Sequence, residues 1–323
     1  MSILVSGSVV YDRIMNFPGA FGDHILPDQI HNLNVSFLVK EFRETFGGVA
    51  TNIAYNLALL SERPQIYSAV GKDFAPYAQR LKKFKIYMGG IKIYPQAYTS
   101  SAYIMTDKND NQITGFFPGA MNYFGFRPKL KKGDIAIVAP GNKEEMLMLA
   151  DYYRNNKTFF IFDPGQQIIQ FNKEQLTKAI TACNIYIVND YELALTQKIT
   201  GLTKQELLKK SVVLITTLGA KGSTIEIYHN NEFKAFSVKS VKPAKVVDPT
   251  GAGDAYRAGI IKGLLMTKAI GHKNLFDWEW LTIGQLGSLA AKYAVQQYGT
   301  QNHFYNYNQF KKDYNFNFKQ IIN

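Results

Sequence analysis

Residues 248 to 259 read DPTGAGDAYRAG, two aspartates flanking a stretch with almost no side chain. The run DAYRAGIIKGLLM begins at the second of them and reads as a helix with a small-residue face. The first N–H groups of a helix have no partner inside it. They point outward together and favour an anion, and glycine lets the backbone come close to one. Gly251, Ala252 and Gly253 therefore form a candidate anion hole with Asp254 at its mouth. A carboxylate there would repel a phosphate unless it acts on a neighbouring group. Phosphoryl transfer reconciles the two: Asp254 takes the proton of an attacking hydroxyl, and the backbone N–H groups stabilise the transferring group. Thr250 is placed to hold a phosphate oxygen or a cation. The plainer alternative, that Asp254 only caps the helix, is weakened by the paired aspartates and by other polar tips along the chain.

Those tips end a series of β-rich runs: Ile3 to Ser8, Gln65 to Asp73, Asp134 to Asn142, Phe159 to Gln167, Ile185 to Glu192 and Val212 to Gly222. Helical patterns lie between them at Thr51–Leu60, Lys143–Arg154, Lys173–Ala182 and Lys204–Lys209. Strands alternating with amphipathic helices predict βαβ units and a mostly parallel sheet. Ligands gather outside the carboxyl ends of such strands, where the Gly-, Asn-, Asp-, Gln- and Thr-rich tips would share one cleft. Two regions break the rhythm, 12–46 and 91–126, with runs such as HNLNVSFLV, SAYIMTD and ITGFFPGAM. They predict a small inserted β-sheet that closes over the cleft as a lid; an irregular edge of the main sheet is the alternative. The α/β body is then 1–11, 47–90 and 127–323. The Asn- and aromatic-rich tail from Gln301 reads as a packed terminal segment.

The chain has 323 residues, 46% hydrophobic and 14% aromatic, enough for a full core. Its single cysteine, Cys183, excludes an internal disulfide framework. The five histidines are scattered without metal-ligand spacing. No apolar run approaches the ~18 residues of a membrane span, and the N-terminus reads as a first strand rather than a signal peptide. A cytoplasmic enzyme is the expectation, with no membrane partner. The net charge of +12 is spread over scattered lysines and reads as a solvated surface rather than a nucleic-acid site.

DPTGAGD resembles the second signature of the ribokinase-like, or PfkB, family of carbohydrate and nucleoside kinases. The first signature has its counterpart in FGGVATNIAYNLALLSERPQIYSAVGKD, Phe46 to Asp73. NDYE at Asn189–Glu192 resembles the family's Asn-x-x-Glu motif, and TTLGAKG at Thr216–Gly222 its nucleotide-binding strand and loop. The four occur in the family's order and span nearly the whole chain. Gly7–Val39, FFPGAMN, FDPGQQ and VNDYE are similar to the bacterial adenosine and broad-specificity nucleoside kinases of that family. The fold so implied is a three-layer α/β sandwich with a mostly parallel central sheet and a β lid.

The resemblance implies ATP-dependent phosphorylation of the 5′-hydroxyl of a ribonucleoside, adenosine among them. In this reading Asp254 is the base and Asp12 accepts from the ribose 2′- and 3′-hydroxyls, which suits a carboxylate. Gly48 and Asn52 complete the ribose contacts, Ser8 and Ser36 lie near the nucleoside, and Phe116 packs on the base. Thr51 narrows the ribose side. Gln166 and Gln167 are candidates to read the base edge, since an amide both donates and accepts; which of them does so is open, and lining a loop is their plainer role. On the ATP side the implied residues are Asn189, Thr217, Gly219, Gly222 and Thr250, with Gln285 and Ser288 (near Gly287) at the adenine. Arg257 either holds the γ-phosphate, the reading preferred, or pairs with a surface acid. Glu192 would order Mg²⁺ through water. Many family members use K⁺ beside the anion-hole loop, and Asp248 is a candidate for it. Lids in this branch often pair, which implies a homodimer. The rival functions are a free-sugar kinase, a non-catalytic nucleotide-binding module and a basic nucleic-acid binder.

Overall fold

The computed structural model describes residues 1–25, 27–211, 213–270 and 279–322. The short apolar runs form a nine-stranded sheet: β1 (Ile3–Ser6), β4 (Pro64–Gly71), β5 (Tyr87–Tyr94), β8 (Ile135–Val138), β9 (Phe159–Phe162), β10 (Ile185–Asn189), β11 (Val213–Thr217), β12 (Ser223–His229) and β13 (Glu232–Val238). A four-stranded sheet holds β2 (Val10–Asn16), β3 (Glu41–Gly47), β6 (Ser100–Thr106) and β7 (Gln112–Phe117). The helices among the described residues are α1 (Val49–Leu59), α2 (Ala75–Lys83), α3 (Lys143–Asn155), α4 (Lys173–Ala182), α5 (Asp190–Thr200), α6 (Lys204–Ser211), α7 (Ala252–Met266), α8 (Trp280–Ala294) and α9 (Tyr307–Phe318).

The strand order of the large sheet is β13-β12-β11-β10-β9-β8-β1-β4-β5. All neighbours pair in parallel except β11 with β12 and β12 with β13. Strands buried on both faces read as unbroken apolar runs, and their side chains alternate between two cores. Ile3 and Val5 face α1, α7 and α8 through Ile53, Ile260 and Leu286. Leu4, Val138 and Phe160 face α3, α4 and α6 through Leu149, Leu176 and Leu207. The result is a three-layer sandwich. From β1 the chain builds outward to β4 and β5, then returns to β8 on the other side of β1. Such a reversal opens a crevice at the carboxyl ends. No helix of the described residues is long and apolar enough to cross a membrane.

The inserted sheet has the order β3-β2-β6-β7, with β2 and β6 parallel and the other pairs antiparallel. Its boundaries differ from those expected. Residues 91–94 belong to β5, where Ile93 pairs with Val70 and Tyr94 with Gly71 of the large sheet, so the second lid segment starts at Ser100. The first runs from Val10 to Gly47. The expected strand at 31–39 is instead the end of a 3-10 turn, Pro27–Asn32, followed by coil. Alternation tells which residues share a face, not which neighbour they find. The β2 edge is taken by β3, and Phe37 packs edge-on against Phe17 and Phe21.

Candidate active site

Two helices begin at the same place. α1 starts after Gly48 and α7 after Gly251, and the Asn52 amide N–H donates to Oδ2 of Asp254 at 2.8 Å. Gly251 is the N-cap of α7, in the left-handed region at φ +81°. Asp254 lies inside the first turn and is therefore not the capping residue that the plainer alternative required. Both N-terminal dipoles favour negative charge here. Burial nevertheless pushes the Asp254 carboxyl up to about 7, against the Arg257 charge and the Asn52 bond, with Asp163 and Asp12 adding to the rise.

Arg257 takes an acid rather than solvent, and that acid is not at the surface. Its guanidinium is buried and pairs in two places with Asp163, one of them Nη2 to Oδ1 at 2.7 Å. Burial works against the Arg257 charge, but Asp163 more than offsets it and its pKa rises. Phosphate contact by this side chain, the preferred expectation, would have to compete with that pair. The glycines have structural duties of their own. A Cβ on Gly253 would sit 2.8 Å from Arg257 Nη1, and one on Gly251 would meet Thr300 at 3.1 Å. Asp248 ties two loops, accepting from the N–H of Thr250 and of Gly299, both at 2.9 Å. Thr250 is exposed just before α7.

Asp12 enters from the lid. A Cβ on Gly47 would lie 2.1 Å from its Oδ2, so the carboxylate rests on bare backbone. Burial, then the charge of Asp248, pushes Asp12 up to about 6. In the lid register Thr45, Asp12, Ala102 and Phe116 form one row. Residues directly opposite share a face, so Phe116 and Asp12 point to the same side, two strands and roughly 10 Å apart. Phe116 is 48% exposed. Ser8 is committed to the fold: its hydroxyl accepts from Val49 N–H at the start of α1. Gly48 has φ +94° and would drive a Cβ into the Ser8 carbonyl at 2.6 Å. Ser36 is exposed on the coil before β3. Gln166 and Gln167 sit on the 3-10 turn Gly165–Gln170 at the tip of β9, just past Asp163.

On the other side of the cleft, Asn189 and Glu192 make a reciprocal cap at the start of α5. The Asn189 oxygen accepts from Glu192 N–H at 2.7 Å and the Glu192 carboxylate from Asn189 N–H at 2.8 Å. Burial and then Asp163 raise the pKa of Glu192. Thr217 and the exposed Gly219 mark the β11 tip. A Cβ on Gly222 would strike the Val238 carbonyl at 2.0 Å, so the glycine allows the close approach of β13. Ser288 binds backbone of the segment after β13, accepting from Val241 N–H and donating to the Lys239 carbonyl. The Gln285 amide oxygen accepts from the hydroxyl of Tyr314 on α9 at 2.6 Å.

The profile of the pfkB family of carbohydrate kinases matches residues 6–305. The chain belongs to the PfkB kinase family. A nucleoside kinase of Methanocaldococcus jannaschii is 31% identical over 288 residues, covering 86% of this chain and 90% of that one. The structure of Burkholderia thailandensis nucleoside kinase in complex with inosine superposes with a TM-score of 0.86 at 31% identity, over 99% of this chain and 100% of the other. The same enzyme in complex with ADP-inosine gives a TM-score of 0.81 at 32% identity, over 99% and 97%. The fold is ribokinase-like, and the chain is a kinase that uses ATP.

Three residues of this PfkB kinase were not anticipated as part of the site. Asp163 was visible in FDPGQQ as an acid at a strand tip, but only the folded chain brings Arg257 to it. Gln301 opens the tail and Thr300 precedes it, and both donate to the Asn52 oxygen at 2.9 Å. The tail carries no periodicity or motif that marks those two positions.

Proposed function

We propose that this kinase transfers the γ-phosphoryl group of ATP to the 5′-hydroxyl of a ribonucleoside, with adenosine among its substrates. One observation carries the chemistry: a buried carboxylate held between two helix starts and bonded by Asn52, its pKa raised by burial to about 7. Such a group is matched to proton abstraction at neutral pH. Asp254 takes the 5′-hydroxyl proton as the oxygen attacks. The backbone N–H groups of residues 251–254 then face the transferring group, where a helix N-terminus favours negative charge. Asp12 accepts from the ribose diol on one face of the lid, and Phe116, on the same face, lies against the base. The relatives named for nucleoside phosphorylation, and the inosine complexes, support a nucleoside over a free sugar.

Among the described residues no three His, Cys, Asp or Glu side chains gather as a metal cage. That suits Mg²⁺, which keeps its waters and leans on phosphate oxygens. The donor present is an oxygen ligand: Glu192, part of the cap at the start of α5, lies within electrostatic reach of the buried Asp163–Arg257 pair. Mg²⁺ held there through water would neutralise phosphate charge. K⁺ beside the 248–251 loop is the second ion proposed, with Asp248 holding that loop in shape.

The test is ADP release from Mg·ATP with adenosine, inosine, guanosine, cytidine and ribose in turn, with and without K⁺. Turnover with nucleosides and little with ribose is expected. Turnover with ribose alone would keep Asp254 as base and remove the roles given to Phe116, Gln166 and Gln167.

A further inference from the structure

The amide of Asn52 turns its nitrogen, not its oxygen, to Asp254, and the reason lies far along the chain. A half-turn of an asparagine amide exchanges its donor and acceptor sides. Gln301 Nε2 and the Thr300 hydroxyl both donate to the Asn52 oxygen at 2.9 Å, which leaves the nitrogen for Asp254. The Thr300 hydroxyl has one proton, and the Phe46 carbonyl at 3.1 Å competes for it. Gln301 has two amide protons and two acceptors, Asn52 and the Tyr77 hydroxyl at 2.8 Å. Gln301 is therefore the donor that always faces Asn52. It is 2% exposed, and its backbone carbonyl accepts from Arg80. Two residues on, His303 Nε2 meets Asn56 Oδ1 at 2.8 Å, and its carbonyl accepts from Tyr55. The segment 300–303 is thus laid along the polar stripe of α1.

We propose that Gln301 is a positioning residue for phosphoryl transfer: through Asn52 it holds a hydrogen-bond donor on the Asp254 carboxylate and so sets the proton affinity of the base. The proposal rests on the reading of Asp254 as that base. A donor to the carboxylate favours its charged form. The charged groups around Asp254 are Arg257 on its own helix, Asp163 at the tip of β9 and Asp12 from the lid. Gln301 is neutral, so a neutral replacement leaves their charges in place. Without Gln301 only the shared proton of Thr300 orients the Asn52 amide, the ionised base holds its partner less firmly, and its pKa rises.

The experiment is the pH profile of kcat/KM for nucleoside, with KM for ATP measured alongside. Wild-type turnover that Asp254→Asn abolishes establishes the base independently; its absence would be the failure of that reading. Gln301→Met, close in volume and unable to donate, should lower kcat/KM about threefold to tenfold on the acid side of the limb. Activity should return on the alkaline side with KM for ATP unchanged. Tyr77→Phe removes the second partner of Gln301 and should move the limb the same way by less. It carries the test if Gln301→Met does not fold. A limb that stays in place, or activity reduced equally at every pH, overturns the proposal.

Discussion

Asp254 is a residue whose meaning depends on its neighbours more than on its type. Asn52 and Arg257 favour its charge, while burial, Asp163 and Asp12 oppose it, and the balance leaves a pKa of about 7. Asp254→Asn should keep the side chain in place and lower turnover by about 10²- to 10⁴-fold, the usual worth of a positioned base. Single-turnover rates beside nucleoside binding would separate the two effects, and near-normal turnover would remove the base assignment. Asp12→Ala should raise KM for every ribonucleoside alike, because its proposed contact is the ribose. A loss confined to one base, in the same substrate panel, would place Asp12 elsewhere. Asp254 was proposed from its motif and Asp12 from the family resemblance. Gln301 was not, since its partner Asn52 is 249 positions away and its worth comes from a bond across that distance.

At the scale of elements, α7 is held to the sheet by the Arg257–Asp163 pair as well as by its apolar face. Removing one member of a buried pair strands the other charge. Arg257→Met should therefore cost about 3–5 kcal/mol in urea-induced unfolding. The double variant Arg257→Met/Asp163→Asn should recover part of it, since neither member of the pair is left charged without the other. Equal stabilities for wild type and Arg257→Met would show the pair to be dispensable. The helices at Lys143 and Lys173 were expected from their apolar pattern, and the structure caps them with Asn142 and with Asn172 and Gln175. The coil at 31–40 was not, because its apolar residues serve an aromatic cluster rather than a pleat.

For the whole molecule, the lid poses the question of association. β7 is exposed along its length. Opposite the face of Asp12 the lid carries a row of Met15, Phe42, Met105 and Ile113, with Phe42 60% and Ile113 47% exposed. Edge strands with exposed apolar side chains invite pairing. A homodimer through the lids is expected in sedimentation equilibrium, and Ile113→Glu should yield monomers. A monomeric wild type at micromolar concentration would exclude it.

The alternation of strands and helices and the parallel sheet were determined by the sequence alone, which also offered Asp254 as the candidate base and residues 251–253 as its candidate anion hole. Each depends on local spacing: period two in strands, the first turn of a helix, bare glycine before an acid. Which charges and amides meet was decided only by the tertiary structure. Folding brings Arg257 to Asp163 across 94 positions and the tail to Asn52, and it sets Gly222 against the Val238 carbonyl and Gln285 against Tyr314 of α9. Hydrogen bonds and ion pairs act over a few ångströms, so partners distant in the chain become visible when the layers close.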